Sequence, residues 1–522
     1  MYKEFLKNIS PREYQKNIFK TCSEKNCLVV LPTGLGKTMI ALMLSIERIK
    51  KFPGEKVVFL APTKPLAEQH CNFFKKNLSE LFAELSLFTG NVYPGKRKEI
   101  WELSEIIFST PQCIANDIRN NLYDLKSVCL LIEDESHRCL KNYDYNYIAQ
   151  KYKEQAVHQR ILGLTASPGN EMRKIKEICK NLSIDEVEIR TRESPDVKEY
   201  LQEVKYEKIQ IDFPKELEEI RDVLKKIFNN YIEGLRKRNV FFGPPTKSNL
   251  ILLQKKMGAS LSKGSKNFNF LLGASECAQA IKIQHAIELI ETQTIEGFNK
   301  YLKELFSQAS NKKSKGVIKL VAKPEFNFAY IKSNEMVVGK IEHPKIEEIM
   351  RIIKKELSEN QKSKIIIFTQ FRDTASIVSR YLKEFGIGNP KIFVGQAKKS
   401  SIEKNKSSGL SQKEQKKIIE EFSAGDTNIL CATCIAEEGL DIPEVNIVIF
   451  YEAVPSAIRV IQRAGRTARL SKGKVIMLIT KKTKDEAYFH ISRRKEEKMH
   501  SAIENVKREF LKKKETEFQK TL

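Results

Sequence analysis

Leu31-Pro-Thr-Gly-Leu-Gly-Lys37-Thr38 sets two glycines, a lysine and a hydroxyl in the order that a phosphate cradle needs. It follows the apolar run Cys27-Leu-Val-Val30 and precedes the helix-forming Met39-Ile-Ala-Leu-Met-Leu44, so it reads as a strand-to-helix turn. Gly34 and Gly36 open backbone angles closed to other residues and let several N–H groups converge on phosphate oxygens. Lys37 would place a point charge on the outer phosphates, and the Thr38 hydroxyl would hold Mg²⁺ at the positive end of the helix. Leu31, Pro32, Thr33 and Leu35 complete the loop. Taken alone, the segment also reads as a flexible turn that is merely rich in glycine.

A hundred residues later, Asp134-Glu135-Ser136-His137 closes the apolar run Ser127-Val-Cys-Leu-Leu-Ile132. That is the carboxyl edge of a strand, where open α/β sheets bind ligands. Asp134 suits the hydration sphere of a metal, and Glu135 suits the base that orients an attacking water. Acidic residues after a strand are often only a turn or a helix cap. A cap does not account for the loop upstream, and the pair predicts hydrolysis of a nucleoside triphosphate.

Gln462-Arg-Ala-Gly-Arg466-Thr-Ala-Arg469 is the third constellation. On a helix, arginines three apart fall on one face. Arg466 and Arg469 could then reach across a cleft as fingers that stabilise transition-state charge, with an exposed basic helix as the plain alternative. The second half of the chain has no phosphate loop of its own, which favours fingers.

The elements that must carry these groups are legible as rhythm. Strand-like runs at Leu28-Val-Val30, Val57–Leu60, Ile106–Phe108, Cys129–Ile132 and Ile161–Leu164 alternate with helical stretches, as βαβ units of a parallel sheet do. The rhythm returns at Lys364–Phe368, Lys391–Val394, Asn428–Cys431, Ile447–Phe450 and Val475–Ile479. Between them, Leu217, Ile220, Leu224, Ile227 and Tyr231 keep a helical period, and Gly243-Pro-Pro245 and Lys263-Gly-Ser-Lys266 break the stretch into separate helices. The predicted fold class is α/β, with two parallel-sheet domains at 1–200 and 336–495, an all-helical insertion at 201–335 and a basic helical tail at 496–522 that frays.

With 522 residues, the chain is too long for one core. Lys and Arg outnumber Asp and Glu by 91 to 66, a net charge of +25, which favours a polyanionic partner, nucleic acid or an acidic membrane surface, over a merely solubilising surface. Apolar runs are strand-length and interrupted by charge, and Met1-Tyr-Lys-Glu-Phe-Leu-Lys7 lacks a secretory core, so a cytoplasmic location with no membrane span is expected. The ten cysteines are scattered, as free thiols would be. Cys431 and Cys434 have zinc-ligand spacing without a second pair, and the seven histidines form no metal motif, so no zinc is expected.

The ordered set of motifs resembles superfamily 2 helicases of the DEAH type. It comprises Pro11-Arg-Glu-Tyr-Gln15, the phosphate loop, Ala61-Pro-Thr-Lys-Pro-Leu-Ala-Glu68, Thr89-Gly90, Ser109-Thr-Pro-Gln112, Asp134–His137, Leu164-Thr-Ala-Ser167, Phe368-Thr-Gln370, Ala432-Thr433, Glu438-Gly-Leu-Asp441 and Gln462–Arg469. Phe393-Val-Gly-Gln-Ala397, Gly409–Gln415, Glu438–Val445 and Tyr451–Arg459 narrow the resemblance to archaeal Hef and its eukaryotic relative FANCM. This resemblance implies two RecA-like motor domains and ATP with Mg²⁺ as cofactors, the metal near Thr38 and Asp134. Arg12 and Gln15 would read the adenine, Thr165 and Ser167 would couple hydrolysis to movement, and Glu438 and Asp441 would face the nucleotide. Lys37, Asp134, Glu135, Gln462, Arg466 and Arg469 would form the catalytic set. Thr63, Lys64, Thr89, Gly90, Thr110, Gln370 and Thr433 would line the nucleic-acid track, where small hydroxyls and helix N-termini suit phosphate backbones and distinguish no base. Without the family, Thr63-Lys-Pro and Thr110-Pro-Gln are turns with helix caps.

Ser136 stands where the pattern has alanine, Ala468 where it has glycine, and Cys434-Ile-Ala436 replaces a more polar triplet. No charged catalytic group is lost. Hef chains commonly continue into an XPF-type nuclease, whose acidic motif this sequence does not contain. The resemblance implies a helicase or translocase on branched DNA, forks and four-way junctions, working with replication or repair factors. The alternatives are a motor directed to double-stranded RNA, as in Dicer and the antiviral sensors, and a non-enzymatic basic scaffold for nucleic acid.

Overall fold

The computed structural model describes residues 2–7, 9–169, 171–263, 268–396, 409–437, 442–467 and 472–521. Glu438, Asp441 and Arg469 therefore lie outside the described residues.

Seven parallel strands form the first sheet: β1 (Cys27–Val30), β2 (Lys56–Leu60), β3 (Leu85–Phe88), β4 (Ile106–Ser109), β5 (Val128–Asp134), β6 (Ile161–Thr165) and β7 (Glu186–Ile189). Their order is β3-β4-β2-β5-β6-β1-β7. Central strands such as Cys27-Leu-Val-Val30 are buried along their whole length because helices cover both faces, which is why they read as unbroken apolar runs.

The second sheet consists of β8 (Val204–Ile211), β9 (Ile365–Phe368), β10 (Pro390–Phe393), β11 (Ile429–Ala432), β12 (Ile447–Phe450) and β13 (Gly473–Thr480), in the order β10-β11-β9-β12-β13-β8. Here the structure corrects a boundary. β8 falls within the stretch expected to be helical from residue 201, yet it pairs in parallel with β13 from Val204↔Gly473 to Ile211↔Thr480. It is an edge strand whose middle is exposed, so its charged sequence, Val-Lys-Tyr-Glu-Lys-Ile-Gln-Ile, shows no apolar run.

The helical bundle, from Lys215 to Val338, thus leaves from β8 and returns through helix Lys345–Glu359 to β9. Both of its ends are held by the second sheet. Side chains reinforce the join: Thr374 Oγ1 donates to Gln293 Oε1 at 2.7 Å, Gln293 Nε2 donates to Glu452 Oε2 at 3.4 Å, and Tyr488 OH donates to Glu288 Oε1 at 3.0 Å. Lys345 and Asp485, both wholly buried, form an ion pair beneath the bundle, and Lys345 Nζ also donates to the Thr292 carbonyl. A buried pair of this kind fixes geometry more than it adds stability.

The C-terminal helix, Lys484–Thr521, is the second correction. It begins in the second domain, and its Met499, Ala502, Ile503 and Val506 are buried in the core of the first. The expected fraying basic tail is, as far as Val506, a strap between the two motor domains. No helix among the described residues is long and apolar enough to cross a membrane.

Candidate nucleotide and nucleic-acid site

Strand order sorts the motifs. The phosphate loop follows β1, Asp134 ends β5 and Thr165 ends β6, three adjacent strands. Thr63, Thr89 and Thr110 follow β2, β3 and β4, which form the other half of the sheet. Each of these motifs lies at or just beyond a strand's carboxyl end, where ligands bind parallel sheets.

Gly34 and Gly36 hold φ of 85° and 72°, and Gly36 is the N-cap of helix Lys37–Lys51. The positive φ of Gly36 demands glycine, and a Cβ there would also displace the Gln15 amide, 2.5 Å away. Gln15 Nε2 donates to the Leu35 carbonyl at 3.1 Å and the Tyr14 hydroxyl to the same oxygen at 2.7 Å. Arg12 N donates to Gln15 Oε1 at 2.8 Å, while its guanidinium lies over the Tyr200 ring at 5.0 Å. Gln15, expected to read the adenine, is thereby tied to the phosphate loop and Arg12 to Gln15, with Tyr14 of the same motif and Tyr200, which no motif had marked, as partners.

Lys37 Nζ donates to the Leu31 carbonyl at 3.0 Å, within the curl of the loop. Thr38 Oγ1 is 3.2 Å from His70 Nδ1, and His70 Nε2 is 2.9 Å from Asp134 Oδ2. Burial pushes the Asp134 carboxyl upward, but the facing His70 and Lys37 outweigh it and the net displacement is downward, which keeps the group ionised. The Tyr145 hydroxyl fixes the adjacent backbone by donating to the Asp134 carbonyl at 2.6 Å. A hydroxyl and an ionised carboxylate at the positive end of a helix are hard oxygen donors that fit Mg²⁺.

Glu135 has φ 50° and ψ 44°, a left-handed conformation uncommon outside glycine. Its Oε2 is buried and makes no hydrogen bond among the described residues, although His137 Nδ1 lies 3.2 Å away. Strain and an unsatisfied buried oxygen at one residue are features of functional sites. His137 Nδ1 also meets Thr165 Oγ1 at 3.2 Å, and Thr165 Oγ1 donates to the Ser167 carbonyl at 3.1 Å. Ser167 Oγ then contacts Met499 Sδ of the strap helix at 2.7 Å. The unusual Ser136 is accommodated by donating to the Leu164 carbonyl at 3.1 Å.

On the second domain, the arginine helix is shorter than its sequence suggested. It spans Ala457–Ala464, so Arg466 lies in the turn beyond it. The arginines that do share its face are Arg459 and Arg463, both paired with Glu437, at 2.9 Å and 2.7 Å. Arg463 is wholly buried, and its guanidinium lies 4.9 Å from the Phe368 ring centroid and 5.4 Å from that of Phe450. Arg466 Nη2 donates to the Glu437 carbonyl at 2.6 Å. Gln462 is buried on the same helix.

The two domains meet here. A Cβ on Gly465 would overlap Thr33 Oγ1 and fall 2.9 Å from Thr33 Cβ, so the turn before Arg466 rests directly on the phosphate loop. Rotating Thr33 cannot clear both atoms. Gly465→Ala is expected to hold the domains apart and lower ATP turnover about 10²-fold, the usual cost of an ångström-scale misplacement. Binding of a fluorescent nucleotide should stay near the wild-type level, and a variant with unchanged turnover would remove this contact from the catalytic geometry.

Along the expected track, Thr63 and Thr110 occupy N-cap positions, but neither side chain makes the capping bond. Thr63, Gly90 and Gln370 are exposed, Lys64 and Thr110 are half-buried, and Thr89 and Thr433 are buried.

The chain matches the family models for the DEAD/DEAH box helicase over residues 12–175, the helicase conserved C-terminal domain over 344–471 and an ATP-dependent RNA helicase helical bundle over 216–337. It is 37% identical, over 96% of its length, to a Methanocaldococcus jannaschii protein named as an ATP-dependent RNA helicase, and spans 61% of that protein. It is 33% identical to the ATP-dependent DNA helicase fml1 of Schizosaccharomyces pombe, over 92% of this chain and 58% of the relative. Among solved structures, the Hef helicase domain of Pyrococcus furiosus is 38% identical with a TM-score of 0.69, covering 92% of this chain and 98% of that one.

Proposed function

Because the chain belongs to the Hef helicase-domain family of superfamily 2, we propose that it is an ATP-driven, Mg²⁺-dependent motor that moves on branched DNA. The observation that carries this reading is the seating of the Gly465 turn on Thr33, which brings the Arg466 segment of one motor domain to the phosphate loop of the other. In this reading the loop amides and Lys37 bind the phosphates, Thr38 and Asp134 hold Mg²⁺, and Glu135 orients the attacking water. Mg²⁺, when bound, draws charge from the phosphate oxygens. Arg466 adds its charge only when the cleft is closed, so hydrolysis is tied to domain closure. Opening afterwards lets the half-track on each sheet advance in turn, a hinge motion of a known kind.

Forks and four-way junctions are the proposed substrates, with replication or repair factors as partners inside the cell. The bundle shares anchorage with the second domain, so it would travel with that domain and carry a bound branch along. ATP hydrolysis against single-stranded, duplex, forked and four-way DNA and duplex RNA, at one stated salt concentration, tests the assignment. Branched DNA should stimulate most. Stimulation by RNA alone would transfer the chain to the RNA-directed motors.

A further inference from the structure

His70 lies two residues beyond the quoted Ala61–Glu68 motif, on helix Lys64–Asn77. It is 8% exposed and packs against the Phe59 ring with centroids 4.5 Å apart. Its two ring nitrogens face two different partners: Nδ1 the Thr38 hydroxyl at 3.2 Å, and Nε2 the Asp134 carboxylate at 2.9 Å. A carboxylate only accepts, so Nε2 carries the proton and donates to Oδ2. Nδ1 is left facing the Thr38 hydroxyl and holds it through the second hydrogen bond of the ring. One imidazole therefore orients a hydroxyl on the phosphate-loop helix and a carboxylate at the end of β5, groups that are 96 residues apart in the chain.

We propose that His70 is a positioning residue for Mg²⁺, presetting both the Thr38 hydroxyl and the Asp134 carboxylate for the ion before nucleotide arrives. The proposal rests on the motor reading, since it takes these two side chains as the metal's holders. Partners of this kind orient ligating groups in many metal sites, and their loss weakens metal affinity. Phe59 packs against the ring, which restricts the ways His70 can turn.

The test reads Mg²⁺ directly. Binding of a fluorescent ADP analogue is titrated with Mg²⁺ from an EDTA baseline, for wild type, His70→Phe and His70→Gln, with thermal unfolding of each. Phenylalanine keeps the ring against Phe59 and removes both hydrogen bonds, while glutamine offers a carbonyl acceptor and an amide donor. The phenylalanine variant should keep the EDTA-baseline affinity and raise the Mg²⁺ midpoint about tenfold or more, and glutamine should restore most of that loss. If phenylalanine does not fold, His70→Met serves as the arm without hydrogen bonds. An unshifted midpoint in the folded apolar variant overturns the proposal, as does a glutamine midpoint as high as the apolar one. A wild type whose nucleotide binding ignores Mg²⁺ overturns the motor reading itself, and the proposal with it.

Discussion

Glu135→Gln is expected to bind ATP and Mg²⁺ as wild type does and to lose about a thousandfold in DNA-stimulated turnover, the middle of the range for removing a general base. Glutamine preserves the volume and the left-handed backbone that Glu135 already tolerates at φ 50°. It removes the acceptor that Oε2 offers, a buried oxygen with no hydrogen bond of its own among the described residues. An amide N–H₂ in that place turns a donor toward the water's hydrogens and cannot draw a proton from it. Single-turnover hydrolysis at saturating ATP separates this loss from weaker binding. Turnover within a few-fold of wild type would take Glu135 out of the reaction.

Glu437→Gln should produce the largest fall in stability, about 3 to 5 kcal/mol, because it removes the carboxylate paired with both Arg459 and Arg463 and leaves Arg463 charged in the core. That arginine is wholly buried between Phe368 and Phe450, and its other acidic neighbour, Glu452, has a carboxyl that burial pushes up to about 7 against the pull of Arg463 and Lys345. Glu452 is thus only partly ionised near neutrality and cannot fully replace Glu437. Denaturant unfolding measures the loss. Arg463→Met added to Glu437→Gln should recover much of it, since an apolar side chain there leaves no orphan charge, and a cycle of the four proteins isolates the coupling. A single variant as stable as wild type would mean that the pairing with Glu437 contributes nothing to stability.

Both predictions concern residues whose legibility differed. Glu135 was readable because it stands in a short motif at the end of a strand whose run, Val-Cys-Leu-Leu-Ile, is wholly buried. Glu437 was not, although it abuts the quoted Glu438–Asp441 segment, since its meaning depends on Arg459 and Arg463 arriving from a later helix. The strands missed were the edge strands β3, β7 and β8, where one flank lacks a neighbour and the apolar signal is diluted. Arg466 and Arg469 were expected on a helix from spacing alone, but the helix stops at Ala464, and the face that spacing defines belongs to Arg459 and Arg463.

By itself the sequence determined what is local: the glycine angles of the phosphate loop, the acidic pair at the end of β5, the strands covered on both faces and the order of the motifs. These depend on residues within a few positions of one another, so composition and period suffice. Tertiary structure alone decided that β8 carries the bundle into the second domain, that Met499 brings the strap helix to Ser167, that Gly465 rests on Thr33 and that His70 joins Thr38 to Asp134. Each of these joins residues dozens to hundreds of positions apart. Such contacts form only where the packing of whole sheets and helices compensates the entropy of closing the intervening chain, and no local pattern records that balance.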